Sequence, residues 1–148
     1  MSTIVIIVLI ILLLLAIAIV PFVRQMIIDS WELKRTPIYK KFEILAHIIS
    51  DELMDGEGEI TRFKDDPKMM NLMSPNKRNL LIRFYYSTGN LTLTLNYMFY
   101  HVELVHDEPY YGVRNIDISE QENIATQFIM ICKKLIADHQ EKVRNQLH

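Results

Sequence analysis

Histidine and acidic side chains at helical spacing are the first residues of this chain whose types could do chemistry. Glu43, His47 and Asp51 recur every four residues in a predicted helix, and imidazole and carboxylate groups are common ligands of divalent metals. A solvated helix face produces the same pattern. His101 and His106 are five residues apart in a predicted strand, so they point to opposite faces unless a bulge lies between them. The sequence therefore predicts no metal site.

The other candidates for ion binding or catalysis each lack a required residue. Asp51, Asp55 and Gly56 fit part of a calcium-binding loop, but Arg62 stands where that loop needs a bidentate glutamate. Cys132, the single cysteine, lies on the apolar stripe of a predicted helix, where we expect a buried hydrophobic residue. The sequence contains no glycine-rich phosphate loop and no nucleophile elbow. We therefore predict a protein that is not an enzyme and binds no cofactor.

Tyrosines are concentrated in the predicted sheet region. Exposed tyrosine rings give extensive contact with a protein partner at a small cost in side-chain entropy, although strands also favour tyrosine for packing. Tyr85 and Tyr100 are the two that we expect to face outward, and we predict them as partner-binding residues. The net charge of −2, with acidic and basic residues interspersed, argues against nucleic acid as the main partner.

An apolar segment at the N-terminus is the strongest signal in the sequence. It runs without interruption from Ile4 to Val20 and extends to Val23, and the first charged side chain is Arg24. Twenty helical residues rise about 30 Å, which matches the hydrocarbon thickness of a bilayer. We therefore predict a transmembrane anchor in residues 1–23 and the lipid bilayer as a partner. The predicted anchor residues are Ile4, Leu12, Val20 and Phe22, with Trp31 at the membrane interface.

Three alternatives concern this segment. A buried core helix could also be apolar all round, but a run of this length without one polar residue argues against it. Ala16, Ile17 and Ala18 have the form of a signal-peptide cleavage site, but no basic residue precedes the run and the apolar stretch continues past the site. Trp31 could pack in the core of the following domain instead of at the interface.

The distribution of basic residues predicts the side of the membrane. No basic side chain precedes the apolar run, and five follow it within about 20 residues, where positive charge is retained in the cytoplasm. These residues are Arg24, Lys34, Arg35, Lys40 and Lys41. We predict a single-pass protein with a cytoplasmic domain.

Helical periodicity and caps predict two main helices in the remaining chain. We interpret residues 24–36 as a juxtamembrane linker and residues 37–148 as a soluble domain. The spacing of apolar residues predicts a helix over Pro37–Met54 and a short one within Pro67–Met73. A final helix begins near Glu120, with Ser119 as its N-cap.

Alternating apolar residues predict the strands. Leu80–Tyr86 and Leu91–Phe99 flank a turn at Gly89-Asn90, with Thr88 opposite Leu91, so that one face of the hairpin is apolar. The alternation slips after Phe99, which predicts a bulge or bend near residues 98–101. A turn at residues 107–109 then leads to a third strand over residues 111–116.

The predicted fold is an α+β domain in which an antiparallel sheet of about three strands packs against two main helices, after a single transmembrane helix. The predicted function is a membrane-anchored, non-enzymatic accessory or adaptor protein that binds another protein, such as a small subunit or regulator of a membrane complex. The alternative is a small-ligand-binding domain or an unrecognised enzyme tethered to the membrane.

Overall fold

The computed structural model describes residues 3–147 and has an α+β architecture. A long N-terminal helix leads into two shorter helices, a five-stranded sheet and a final long helix. The helices are α1 (Thr3–Arg35), α2 (Ile38–Lys41), α3 (Glu43–Met54) and α4 (Ile118–Gln146), and the strands are β1 (Glu59–Arg62), β2 (Met69–Met73), β3 (Leu80–Ser87), β4 (Asn90–Phe99) and β5 (Val102–Tyr110).

The sheet is an antiparallel meander in which the strands pair in the order β1-β2-β3-β4-β5. The prediction of about three strands was therefore too low. β2 lies where we predicted a short helix, because Met70 and Leu72 pair with Phe84 and Ile82 of β3 and bury their side chains with them. Pairing with a neighbouring strand outweighs the local preference of so short a segment.

The hairpin of β3 and β4 has the predicted apolar face in a register shifted by two residues. Its turn is Thr88-Gly89, flanked by Ser87 and Asn90, and both turn residues have positive φ. Leu91 therefore pairs with Tyr86 and not with Thr88. Side chains alternate with a period of two, so a shift of two residues leaves every side chain on its predicted face.

A second tight turn explains the slip in alternation after Phe99. Phe99 pairs with Val102 across the two-residue turn Tyr100-His101, so the chain reverses where we expected a bulge or bend within one strand. β5 continues to Tyr110, and the predicted turn at residues 107–109 and the predicted strand over residues 111–116 were wrong. Pro109 is tolerated because β5 is an edge strand of the sheet.

Helices α3 and α4 pack on one face of the sheet, and no helix of residues 3–147 covers the other face, which we call the outer face. The core between them contains Leu45 of α3, Phe128 of α4, and alternate residues of the central strands such as Phe84 and Leu93, all fully buried. This arrangement accounts for the alternation of buried and partly exposed residues along β4.

Two helix boundaries differ from those predicted. The single helix expected over Pro37–Met54 is interrupted at Phe42, whose backbone leaves the helical region at φ −112° while its ring is buried against Tyr86. α4 is capped by Asp117, whose carboxylate accepts the Glu120 N–H at 2.8 Å and whose N–H donates to Glu120 Oε2 at 3.2 Å. The capping box thus begins two residues before Ser119.

Candidate functional site

Helix α1 exposes its apolar residues along most of its length. It is the one helix within residues 3–147 that is long and apolar enough to cross a membrane, and none of its most apolar 18-residue window is buried. The predicted anchor residues Ile4, Leu12, Val20 and Phe22 are all exposed. The chain stays helical to Arg35, through the residues predicted as a linker. Trp31 is 64% exposed, so the alternative that it packs in the core was wrong.

The C-terminal turns of α1 are fixed to the domain by a cluster that we call the polar clamp: Asp29, Glu32, Lys41, Tyr86 and Arg114. Arg114 donates from Nη2 to Asp29 Oδ1 at 2.7 Å and from Nη1 to Glu32 Oε2 at 2.8 Å. The Tyr86 hydroxyl donates to the same Glu32 oxygen at 2.8 Å. Lys41 forms an ion pair with Glu32 and also donates to the carbonyl of Arg114.

The polar clamp balances two carboxylates against two cations in a largely buried site. The Asp29 side chain is completely buried and accepts a further hydrogen bond from the backbone N–H of Thr88. Burial opposes the charge of Arg114, but its bonds with Asp29 and Glu32 raise the pKa of Arg114 above its usual value. Burial and the bond to Glu32 raise the pKa of Tyr86, which keeps its hydroxyl protonated as a donor.

The polar clamp joins α1 to one end of the sheet, which we call the α1 end. This end contains the β1–β2 loop, the turn at Thr88-Gly89 and the loop that follows β5. Arg114 of that last loop also donates to Gln25 Oε1 at 2.7 Å, and Val113 N–H donates to Gly89 O at 2.9 Å. The contacts of α1 with the domain extend from Gln25 to Leu33, and Leu33 is buried in the core. Because they extend over more than two helical turns, they fix both the position and the direction of α1.

The two predicted partner-binding tyrosines lie in different places. Tyr85 is 41% exposed on the outer face, opposite Thr92 near the α1 end. Tyr100 is 65% exposed in the β4–β5 turn, which we call the far end of the sheet. Thr92 lies in β4 and Tyr100 directly follows this strand, eight residues further along the chain, or about 26 Å away at the rise of a strand. The structure therefore exposes both rings but does not bring them together.

The turn that carries Tyr100 has an unusual backbone for its residues. Tyr100 and His101 have φ of 46° and 63°, in the left-handed region that two-residue hairpin turns require and that glycine and asparagine fill most readily. The ring of Phe99 supports Tyr100 edge-on, with 4.6 Å between ring centroids. Non-glycine residues held in this conformation cost about 1 kcal/mol or more each and often mark functional positions.

A groove of about 650 Å³ lies between the start of the domain and the first two strands. Its apolar walls come from the end of α1, from α2 and from β1 and β2, and two basic side chains, Arg62 and Lys64, also line it. Sequence reasoning missed this groove because its walls are far apart in the chain. We call it the basic groove.

No protein-family model, curated protein or solved structure matches this chain.

The residues that the sequence offered for chemistry are scattered. His47 lies 3.4 Å from Asp51 on the exposed face of α3, while His106 lies 2.9 Å from Glu108 on β5. Between Thr3 and Leu147, no three or more His, Cys, Asp or Glu side chains group closely enough to hold a metal ion. Cys132 is fully buried as expected, and burial raises the pKa of its thiol to about 12.

Proposed function

We propose that this protein is a single-pass, membrane-anchored, non-enzymatic adaptor whose domain binds another protein. α1 is the anchor, with residues 4–23 in the bilayer. Its apolar side chains are exposed on all sides, and a surface of this kind is stable in lipid and unfavourable in water. Backbone hydrogen bonds within the helix satisfy the peptide groups, as a spanning segment requires.

The observation that carries the partner-binding proposal is the exposed Tyr100 ring on a left-handed, non-glycine turn. Glycine or asparagine would form this turn with less backbone strain, so a tyrosine at this position indicates a role other than stabilising the fold. Met98 on the outer face and Val102 on the opposite face of the sheet, one on each side of the turn, are also exposed apolar residues. An exposed aromatic ring with exposed apolar residues beside it is typical of a protein–protein contact.

Photocrosslinking of the full chain tests this proposal. A benzophenone amino acid replaces Tyr100, Tyr85 or, as a control, Thr126 on the exposed face of α4. We expect one discrete protein adduct from position 100, and from position 85 if the outer face contributes, but none from position 126. Equal adducts at all three positions, or a detergent-solubilised monomer that carries a small molecule in place of a protein, would contradict the proposal.

We further propose that the domain lies in the cytoplasm, because five basic residues follow the anchor. Thr126→Cys places a reactive thiol on the exposed face of α4, away from the polar clamp and from the proposed partner surface. We expect a membrane-impermeant maleimide to label this variant only after cell lysis. The wild-type chain is the control, since its buried Cys132 should stay unlabelled in both cases. Labelling of intact cells would place the domain on the opposite side.

A further inference from the structure

We propose that the basic groove binds an anionic phospholipid from the membrane that holds α1. This inference rests on the proposed membrane anchoring. It assigns a ligand class to a site whose walls are Leu33, Ile38, Ile60 and Phe63, with Arg62 and Lys64 as its cations.

The size and lining of the basic groove fit part of an amphiphile. Its volume of about 650 Å³ lies within the range of small-molecule sites, which is roughly 300 to 1,000 Å³. The apolar walls suit the glycerol and the first methylene groups of a lipid. Arg62, stacked over the Tyr39 ring at 4.6 Å, and Lys64 supply positive charge for a phosphate group.

The two cations are available to a ligand. Neither Arg62 nor Lys64 forms an ion pair within the described chain, residues 3–147, and no acidic side chain lines the groove there. Asp66, nearby in the β1–β2 loop, uses its carboxylate to accept the Lys68 N–H at 3.1 Å. The groove therefore presents unpaired positive charge beside apolar walls, which complements an anionic lipid.

The basic groove lies on the membrane side of the domain, so the membrane itself would provide the lipid. Tyr86 N–H donates to Lys68 O at 2.8 Å, which places the β1–β2 loop level with the Thr88 turn. The Thr88 N–H reaches Asp29, six residues after Val23 and so about 9 Å beyond the apolar run. The headgroup layer of a leaflet is about 5 to 7 Å thick. Leu33 in the groove wall is ten helical residues, or about 15 Å, beyond Val23, so the groove lies within about 10 Å of the lipid headgroups.

Lipid retention by the full chain tests this inference. The protein is solubilised in a mild non-ionic detergent, mixed with phosphatidylglycerol or phosphatidylcholine, and examined by native mass spectrometry. We expect one retained phosphatidylglycerol per chain and little phosphatidylcholine. Removing the two charges with Arg62→Gln and Lys64→Gln should weaken retention roughly 10- to 30-fold, because each basic residue near anionic lipid contributes about 1 kcal/mol.

The matched control removes two charges elsewhere, with Lys133→Gln and Lys134→Gln on the exposed face of α4, and should retain lipid like the wild type. Both double variants change exposed residues and should fold. Equal retention of both lipids, equal loss in both variants, or full competition by inorganic phosphate would overturn the proposal.

Flotation with vesicles separates this failure from failure of the anchor. The wild type and both variants should float, and a wild-type chain that does not float contradicts the proposed function itself.

Discussion

Replacing Arg114 with alanine is the sharpest test of the polar clamp, because it leaves the Asp29 carboxylate without its cation. Asp29 is completely buried, and its remaining partner among the described residues is the backbone N–H of Thr88. The substitution also removes the bonds to Glu32 and Gln25. We therefore expect Arg114→Ala to destabilise the domain and to loosen its attachment to α1.

The magnitude follows from the burial of the pair. Removing one partner of a buried ion pair costs about 3 to 5 kcal/mol, because the other charge stays in a poorly solvated site. Arg114 is 24% exposed and Glu32 is 20% exposed, so water screens part of the interaction, and we expect the lower value of about 3 kcal/mol. This corresponds to roughly a 150-fold change in the unfolding equilibrium. In a domain of this size the Tm should fall by about 12 °C.

Thermal unfolding of the full chain in detergent, followed by near-ultraviolet circular dichroism of the tyrosines, measures this change. Arg83→Ala is the matched control, since Arg83 is exposed on the outer face and its Nε bonds Asn71 there. We expect this control to shift the free energy of unfolding by no more than about 0.5 kcal/mol. Equal Tm values for Arg114→Ala and Arg83→Ala would refute the reasoning.

A double-mutant cycle separates the pair from its surroundings. Asp29→Ala combined with Arg114→Ala removes both charges, so the buried carboxylate no longer lacks a cation. We expect the double variant to be less destabilised than the sum of the single variants, by about 1 to 3 kcal/mol. Strict additivity would show that the two residues act independently.

Three further predictions concern the turns, the cysteine and the core. Tyr100→Asn with His101→Gly should raise stability by about 1 to 2 kcal/mol and abolish co-purification of the proposed partner with the full chain. Thr88→Asn should favour the β3–β4 turn and leave that partner bound, and a partner retained by the first variant contradicts our assignment. Because burial raises the pKa of Cys132 from about 9 to about 12, the unfolded thiol ionises first, and the free energy of unfolding should fall by about 1 kcal/mol between pH 9 and pH 10. Urea titrations of Cys132→Ala should not show this loss in that interval, whereas above pH 10 Tyr86 and Tyr110, whose pKa values are also raised, lower the stability of both chains. Leu95→Asp should abolish the cooperative melting transition and Leu95→Met should preserve it, since the side chain is fully buried; a folded Leu95→Asp chain would be incompatible with this core.

The parts of the fold that the sequence predicted are those with a repeated local signal. The long apolar run predicted α1, and two alternating segments predicted the β3–β4 hairpin with its correct inner face. The predicted register was wrong by two residues, but each side chain still lies on its predicted face, because side chains alternate between faces with a period of two residues. The β4–β5 turn was harder to predict because Tyr100 and His101 lack the usual turn residues, glycine and asparagine.

The polar clamp could not be predicted because its members are distant in sequence and individually ordinary. Asp29 and Glu32 on the helix looked like charges of a juxtamembrane linker, whereas Arg114 follows β5 in a segment that we predicted to be a strand. Only the folded chain brings the guanidinium within 2.7 Å of Asp29. Asp29, Glu32 and Leu33 are spaced so that they share one face of a helix. This spacing was the sequence signal that α1 continues past the apolar run and packs against the domain.

The polar clamp also constrains where a partner can bind if α1 is an anchor. A flexible linker would let the domain explore many orientations, but a continuous helix fixed by buried ion pairs holds the sheet in one direction. β4 has ten residues, which extend over about 33 Å from the α1 end to the far end. The basic groove would then lie near the headgroups, and Tyr100 would lie up to about 30 Å further from them, the full distance applying when β4 runs along the membrane normal. A partner of the far end must therefore present its own contact surface at that distance from the bilayer. The polar clamp thus restricts partners by the distance of their contact surface from the membrane as well as by its chemistry.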